Sequence, residues 1–194
     1  MRVLVVFSHP DPESFAAAAL ARSLAGLRRA GHEVRVTDLY ADGFEAAMTA
    51  EERRRHQEPG VAPDLQAYAD DLAWAEALVL VYPTWWSGMP AMLKGWIDRV
   101  WVAGVAWELP DGANVLRPLL TDVRRIVVVT THGSSKLMNC LEGESGKRTA
   151  LRSIRVMCSK RTRTRWVALY GIDRSTAEQR HAFLDRVERT MLDL

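Results

Sequence analysis

Strand-length apolar segments alternate with helix-period segments along the whole chain, and this alternation constrains the fold more than any other feature. Val3 to Phe7 and Ala77 to Tyr82 are continuous apolar runs of the kind required by strands covered on both faces. The first predicts a strand over residues 2 to 7 and the second a strand over 77 to 82. His32 to Tyr40 alternates instead, with Val34 and Val36 between Glu33, Arg35 and Thr37, so it suits a half-covered edge strand. Arg125 to Thr131 and Arg165 to Tyr170 supply a fourth and a fifth strand. The intervening helices are predicted at four places. They run from 14 to 30, with Leu20, Leu24 and Leu27 on one face and Gly31 as the stop; from Asp64 to Glu76; from 89 to 103, where Leu93, Trp96, Ile97, Val100 and Trp101 share a face; and from Thr176 to Met191. Residues 45 to 58, acidic and basic by turns and followed by Pro59-Gly60, predict a surface helix or a mobile excursion. Alternation of this kind demands α/β architecture, a parallel sheet with helices on both faces, and five strands suit the doubly wound order 2-1-3-4-5. No repeat, low-complexity tract or linker interrupts it, so residues 1 to 194 read as a single domain.

Composition narrows the function classes. The chain has 194 residues, 48% hydrophobic and 26% charged, enough to bury a core without staples. A net charge of +2 is too small to argue for nucleic acid. The apolar stretches fall far short of a membrane span, and Met1-Arg2 leads straight into a strand without a small-residue cleavage site. No membrane insertion is expected, and the expected location is cytoplasmic. Cys140 and Cys158 match no metal or redox spacing and read as ordinary reduced thiols, so no metal site is expected.

Ligands of open α/β sheets bind beyond the carboxyl ends of the strands, which directs attention to three loops. The first, Ser8-His9-Pro10-Asp11-Pro12-Glu13-Ser14-Phe15, lacks the glycine-rich fingerprint of a nicotinamide Rossmann site. It delivers a histidine and a hydroxyl to the start of a helix, where unpaired N–H groups and the macrodipole favour a phosphate. Ser14 would donate to that phosphate with His9 beside it; alternatively Asp11 or Ser14 caps the helix and His9 folds back onto the backbone. The second loop, Tyr82-Pro83-Thr84-Trp85-Trp86, offers two rings for a flat aromatic ligand or, alternatively, for the core. Trp96 and Trp101, at helical spacing, read as core or subunit-interface packing. The third loop, Thr130-Thr131-His132-Gly133-Ser134-Ser135-Lys136, presents hydroxyls, a cation and a glycine that permits close approach.

Ser8-His9-Pro10 with Ser14-Phe15, Pro83-Thr84-Trp85-Trp86 followed by the helix Pro90 to Trp101, and Thr130-Thr131-His132-Gly133 together resemble the flavodoxin-like NAD(P)H:quinone oxidoreductases. That family includes mammalian quinone reductase, the bacterial drug-activity modulator and the ancillary subunit of potassium-efflux systems. The likeness covers nearly the whole chain, and Leu93-Lys94-Gly95-Trp96-Ile97-Asp98-Arg99-Val100 is its most specific piece. It implies a flavodoxin-like fold, a tightly bound flavin (FAD or FMN), NAD(P)H as electron donor, and a quinone or similar small acceptor. Carried over, His9, Ser14 and Phe15 contact the phosphate and ribityl arm; Pro83, Thr84, Trp85 and Trp86 line the isoalloxazine; Thr130, Thr131, His132 and Gly133 bond its polar edge. The family's usual homodimer places each flavin at the subunit boundary, and the apolar face around Trp96 and Trp101 is the candidate contact. His132 is the candidate catalytic side chain, able to stabilise negative charge on the reduced ring or else only to cap backbone groups.

The resemblance has gaps. The mammalian enzyme has a glycine where His132 stands, and a tyrosine and a histidine further along the same loop. At those counts this chain has Met138 and Glu144, so that proton-relay pair does not carry over. The segment Gly143 to Thr149 looks like a phosphate-binding P-loop, but Leu141 occupies the first glycine position and Arg148 replaces the magnesium-holding hydroxyl. The basic run from Lys147 to Arg165, with no acid between Glu144 and Asp173, reads as a solvated face or as an attraction for NADPH or an acidic partner. Two functions follow: an NAD(P)H oxidoreductase, or a flavin-binding ancillary subunit that regulates a transporter such as a potassium-efflux system.

Overall fold

The computed structural model, which describes residues 1–194, contains five main strands. They are β1 (Arg2–Phe7), β2 (Glu33–Asp38), β3 (Ala77–Pro83), β4 (Arg125–His132) and β5 (Arg163–Tyr170). All pair in parallel in the order β2-β1-β3-β4-β5, as the alternation predicts. The continuous apolar runs occupy the middle of the sheet because both of their faces are covered, and the alternating strand β2 lies at the edge, exposing Glu33, Arg35 and Val36.

Four helices cover the sheet: α1 (Phe15–Arg29), α2 (Gln66–Trp74), α3 (Ala91–Val100) and α4 (Ala177–Leu192). The two-residue period of the strands divides the core in two. Val3, Val5, Phe7, Val79, Val81 and Val127 pack with Leu27 of α1 and Phe183, Val187 and Met191 of α4. Leu4, Val6, Leu78, Leu80 and Val128 pack on the opposite face with Leu72 of α2 and Leu93, Trp96 and Val100 of α3.

Several boundaries differ from expectation. α3 starts at Ala91, after Pro90 in extended backbone, and stops when Trp101 turns to ψ 55°. A 3₁₀ turn, Pro63–Leu65, precedes α2, so that helix starts later than Asp64. A short ribbon pairs Trp107–Glu108 with Arg117–Pro118, and short helical segments occupy Lys136–Leu141 and Ser145–Arg148; none was expected. No helix is long and apolar enough to cross a membrane. Burial pushes the Cys158 thiol up to about 12, while Cys140 is exposed.

Of the two readings of Trp96 and Trp101, core or subunit-interface packing, the structure bears out the core, and the face they form is not available as a contact surface. Trp96 is 0% exposed and Trp101 7%, their rings in edge-to-face contact inside the core. The excursion after β2 lies over α3. Only one turn of it, Ala50–Arg54, is helical, started by a reciprocal Thr49–Glu52 cap. Gly95 lets it come close, since a Cβ there would overlap the Ala46 backbone. Arg99 fixes it: the guanidinium, 4% exposed, donates to Glu52 at 2.8 Å and to the Glu45 carbonyl.

Removing one partner of a buried ion pair leaves the other charge desolvated, so Arg99→Ala should lower the unfolding free energy by about 3 kcal/mol. Lys94→Ala, which breaks the exposed pair with Asp98, should cost less than about 0.5 kcal/mol. Urea denaturation of both variants measures the difference, and equal costs would mean that Arg99 does not clamp the excursion.

Candidate functional site

The loop after β1 combines both readings of its sequence. Ser14 caps α1, its hydroxyl oxygen accepting from the Ala17 N–H at 3.2 Å, and an acceptor in this role keeps its own proton to donate elsewhere. His9 folds back, with Nδ1 3.0 Å from the Asp11 amide nitrogen, which can only donate. In the neutral ring the proton is then on Nε2. The Ala17 and Ala18 amides are taken by Ser14, leaving those of Phe15 and Ala16 as the free donors of the first turn, which carries no acid. The Phe15 ring packs on Phe183 with centroids 5.8 Å apart, so what Phe15 offers a ligand is its backbone N–H.

The pairing of β3 with β4 builds the centre of the site. The Thr84 N–H donates to the Thr131 carbonyl at 2.8 Å, extending the ladder one residue past Pro83. Thr130 and His132, two residues apart, project to the same side of β4. The Thr84 and Thr130 hydroxyls lie 3.1 Å apart, and Thr84 Oγ1 is 3.5 Å from His132 Nε2, at the long limit of hydrogen bonding. His132 is 6% exposed and stacks on Tyr170, its register partner on β5, at 4.6 Å and 14°. Burial holds its pKa below the ordinary value, so the ring is neutral at pH 7. Its Nδ1 makes no well-formed hydrogen bond, although the Asn139 side chain lies close to the ring, and Ser8 Oγ, wholly buried at the end of β1, makes none. Buried polar atoms are nearly always paired, so two unpaired ones at the ends of β1 and β4, on either side of β3, fit a polar ligand.

A cleft of about 430 Å³ opens beside these groups, lined by Thr84, Trp86, Ser87, His132, Gly133, Ser134, Asn139, Glu142 and Asp173. Gly133 gives room to Asp173, whose carboxylate would lie 2.9 Å from a Cβ at that position. Trp85 stands at the rim with its ring 6.0 Å from that of His9, linking the first loop to the second. Trp86 projects wholly into solvent. Open volume, exposed indoles, unpaired helix-start amides and unpaired buried polar atoms together fit a flat aromatic group that carries a phosphate.

Of the residues singled out in the sequence, Thr84, Trp86, His132 and Gly133 line this cleft. His9, Ser14, Trp85, Thr130 and Thr131 stand at the same strand ends around it. Pro83 is buried within the β3–β4 pairing and lines no part of the cleft. Asn139, Glu142 and Asp173 were not anticipated. Asn139 is held by donating to the Ser134 and Ser135 carbonyls, a turn signal that Ser135 as N-cap foreshadows, whereas Asp173 reaches the cleft only through the tertiary packing of the loop after β5.

Solved structures with the same architecture extend over the whole chain. Smu.1420 from Streptococcus mutans is 29% identical, with a TM-score of 0.87 and full coverage of both chains. An NAD(P)H:quinone oxidoreductase from Methanothermobacter marburgensis is 29% identical, with a TM-score of 0.83, and the match covers 100% of this chain and 96% of that one. NAD(P)H dehydrogenase [quinone] 1 of Cavia porcellus is 28% identical over 162 residues, covering 75% of this chain and 58% of its own length. This chain thus spans between about half and two thirds of the length of the curated relatives it matches. With residues 1–191 matched by the family model described as flavodoxin-like fold, and with the strand order and strand-end cleft that go with it, the chain belongs to the flavodoxin-like fold family.

Proposed function

We propose that this chain is a flavin-dependent NAD(P)H oxidoreductase, binding FAD or FMN in the cleft and passing two electrons from NAD(P)H to a quinone or similar small acceptor. The observation that carries this reading is the convergence, at the carboxyl ends of β1, β3 and β4, of a phosphate-suited helix start, exposed indoles and the unpaired Nδ1 of a buried neutral His132. Relatives named NAD(P)H dehydrogenase [quinone] and NAD(P)H:quinone oxidoreductase support it.

Bound flavin would supply a ring able to take up hydride and give up two electrons, and the protein supplies position and electrostatics. The Phe15 and Ala16 amides, the Ser14 hydroxyl and the His9 Nε2–H would hold the phosphate. Trp85 and Trp86 would cover the ring and keep water from it, and Thr84, Thr130, Thr131 and the Gly133 backbone would bond its polar edge. With the Thr84 hydroxyl donating to Nε2, the neutral His132 ring would carry its proton on Nδ1 and present a neutral donor there. Such a donor stabilises negative charge without itself having to lose a proton. A cytoplasmic homodimer completes the reading, its contact lying away from the buried Trp96–Trp101 face.

If nicotinamide and acceptor use the same open face in turn, initial rates of NAD(P)H oxidation at several quinone concentrations should give parallel double-reciprocal lines. Intersecting lines would contradict a shared face.

His132→Gln, at full flavin content, should slow flavin reduction by NAD(P)H at least about tenfold in stopped-flow measurements, since a positioned donor to developing charge is worth about 10²–10³ at most. An unchanged rate would leave His132 a structural role only. The same variant tests the buried ring: below its ordinary pKa of 6.5 the unfolded chain takes up a proton that the folded ring resists. Its contribution to stability is therefore full above that pH and falls as the pH drops through it, and the glutamine variant should lose that part of the acid-side slope.

A further inference from the structure

Only three non-glycine residues of this chain adopt left-handed backbone, Trp86 (φ 49°), Ser87 (φ 57°) and Glu144 (φ 47°), and all three fall within one contact. Trp86 and Ser87 are the central pair of a two-residue turn closed by reciprocal hydrogen bonds between Trp85 and Gly88, at 3.2 and 3.0 Å. With positive φ at both positions such turns favour Asn-Gly or Gly-Gly, so an indole and a hydroxymethyl here are held against their preference. Strain of this kind persists only where the surroundings impose it.

The surroundings are the segment that resembles a P-loop. Ser87 Oγ donates to the Glu142 carboxylate, and Ser145 Oγ donates to the Ser87 carbonyl at 2.7 Å. Gly146 packs directly on this turn, where a Cβ would lie in ordinary contact with the Gly88 carbonyl carbon at 3.4 Å. Lys147, bonded to both Glu144 carboxylate oxygens at 2.8 and 2.9 Å, braces the left-handed residue that turns the segment toward Ser87. The Trp86 ring gains nothing within the protomer from this effort, being 102% exposed at the cleft wall.

We infer that Glu142 and Ser145 are positioning residues, which latch the Trp86–Ser87 turn so that the indole is presented at the cleft as a preformed wall for the bound ring. This inference rests on the flavin reading proposed above. Preforming the wall removes an ordering cost from ligand binding, and the price is the local strain.

Two measurements on the full chain test it. Without flavin, Ser145→Ala should speed hydrogen exchange of the Trp85 and Gly88 amides by about three- to tenfold, the worth of one net hydrogen bond, whereas Ser145→Thr, which keeps the hydroxyl, should stay near the parent. Unchanged exchange in Ser145→Ala would overturn the latch, and Glu142→Ala gives the same test should the first variant fold poorly. In titrations with FMN and with FAD, Ser145→Ala should weaken the flavin bound by the parent by about three- to tenfold but have no further effect in a Trp86→Ala background. Equal losses in both backgrounds would show that Ser145 does not act through Trp86. If the parent bound neither flavin, the flavin reading would fail, and with it the latch's role in presenting a wall to the ring, while the exchange arm would still report whether the latch exists.

Discussion

Parallel hydrogen bonding between β3 and β4 continues past the end of β3, and the rung from the Thr84 N–H to the Thr131 carbonyl sets the geometry of everything around it. It puts the Thr84 hydroxyl against Thr130 and His132, and it fixes where the chain leaves the sheet to make the two-tryptophan turn. The rung joins two interior strands, whose ladder is among the last parts of a protein to open, so the exposed turn hangs from a rigid frame. The neutral state of His132 follows from the same frame. The ring is enclosed between Tyr170 and the strand ends, and the loss of solvation outweighs the Asn139 side chain and the Glu144 and Glu142 carboxylates, all of which favour the charged ring.

Two pairs of tryptophans illustrate how burial assigns roles. Trp96 sits in α3 on the face turned to the sheet and closes one half of the core, where an aromatic of its size is worth about 3–5 kcal/mol against alanine. Trp85 and Trp86 stand in a loop outside the core, with 41% and 102% of their surface open to solvent. Exposed rings contribute little to folding. Two of them, side by side on a strained turn at the wall of a cleft, are better explained by what they meet than by what they stabilise.

Much of the fold was legible in the chain because period and burial speak directly. Val3 to Phe7 and Ala77 to Tyr82 could only be central strands, and the polar–apolar alternation of Glu33 to Thr37 could only suit an edge. Ser14 was legible as a helix start because its hydroxyl caps the turn that it opens. What escaped depends on contacts between distant segments. The Trp96–Trp101 stripe looks the same in sequence whether a partner or the chain itself covers it, and the covering excursion is tied down by a single buried guanidinium, Arg99, whose role no periodicity reveals. Asp173 reaches Gly133 across two strand ends, and Glu142 and Ser145 meet Ser87 across more than fifty residues, so neither pairing leaves a local mark.

The central claim is that the strand-end cleft is built for a flavin, and the most direct measurement is a titration of the full chain with FMN and with FAD, followed by anaerobic addition of NADH or NADPH. The account predicts saturable binding of one flavin per chain, with quenched flavin fluorescence from the adjoining indoles and an oxidised-flavin absorbance that the nicotinamide bleaches. Failure to bind either flavin would contradict it.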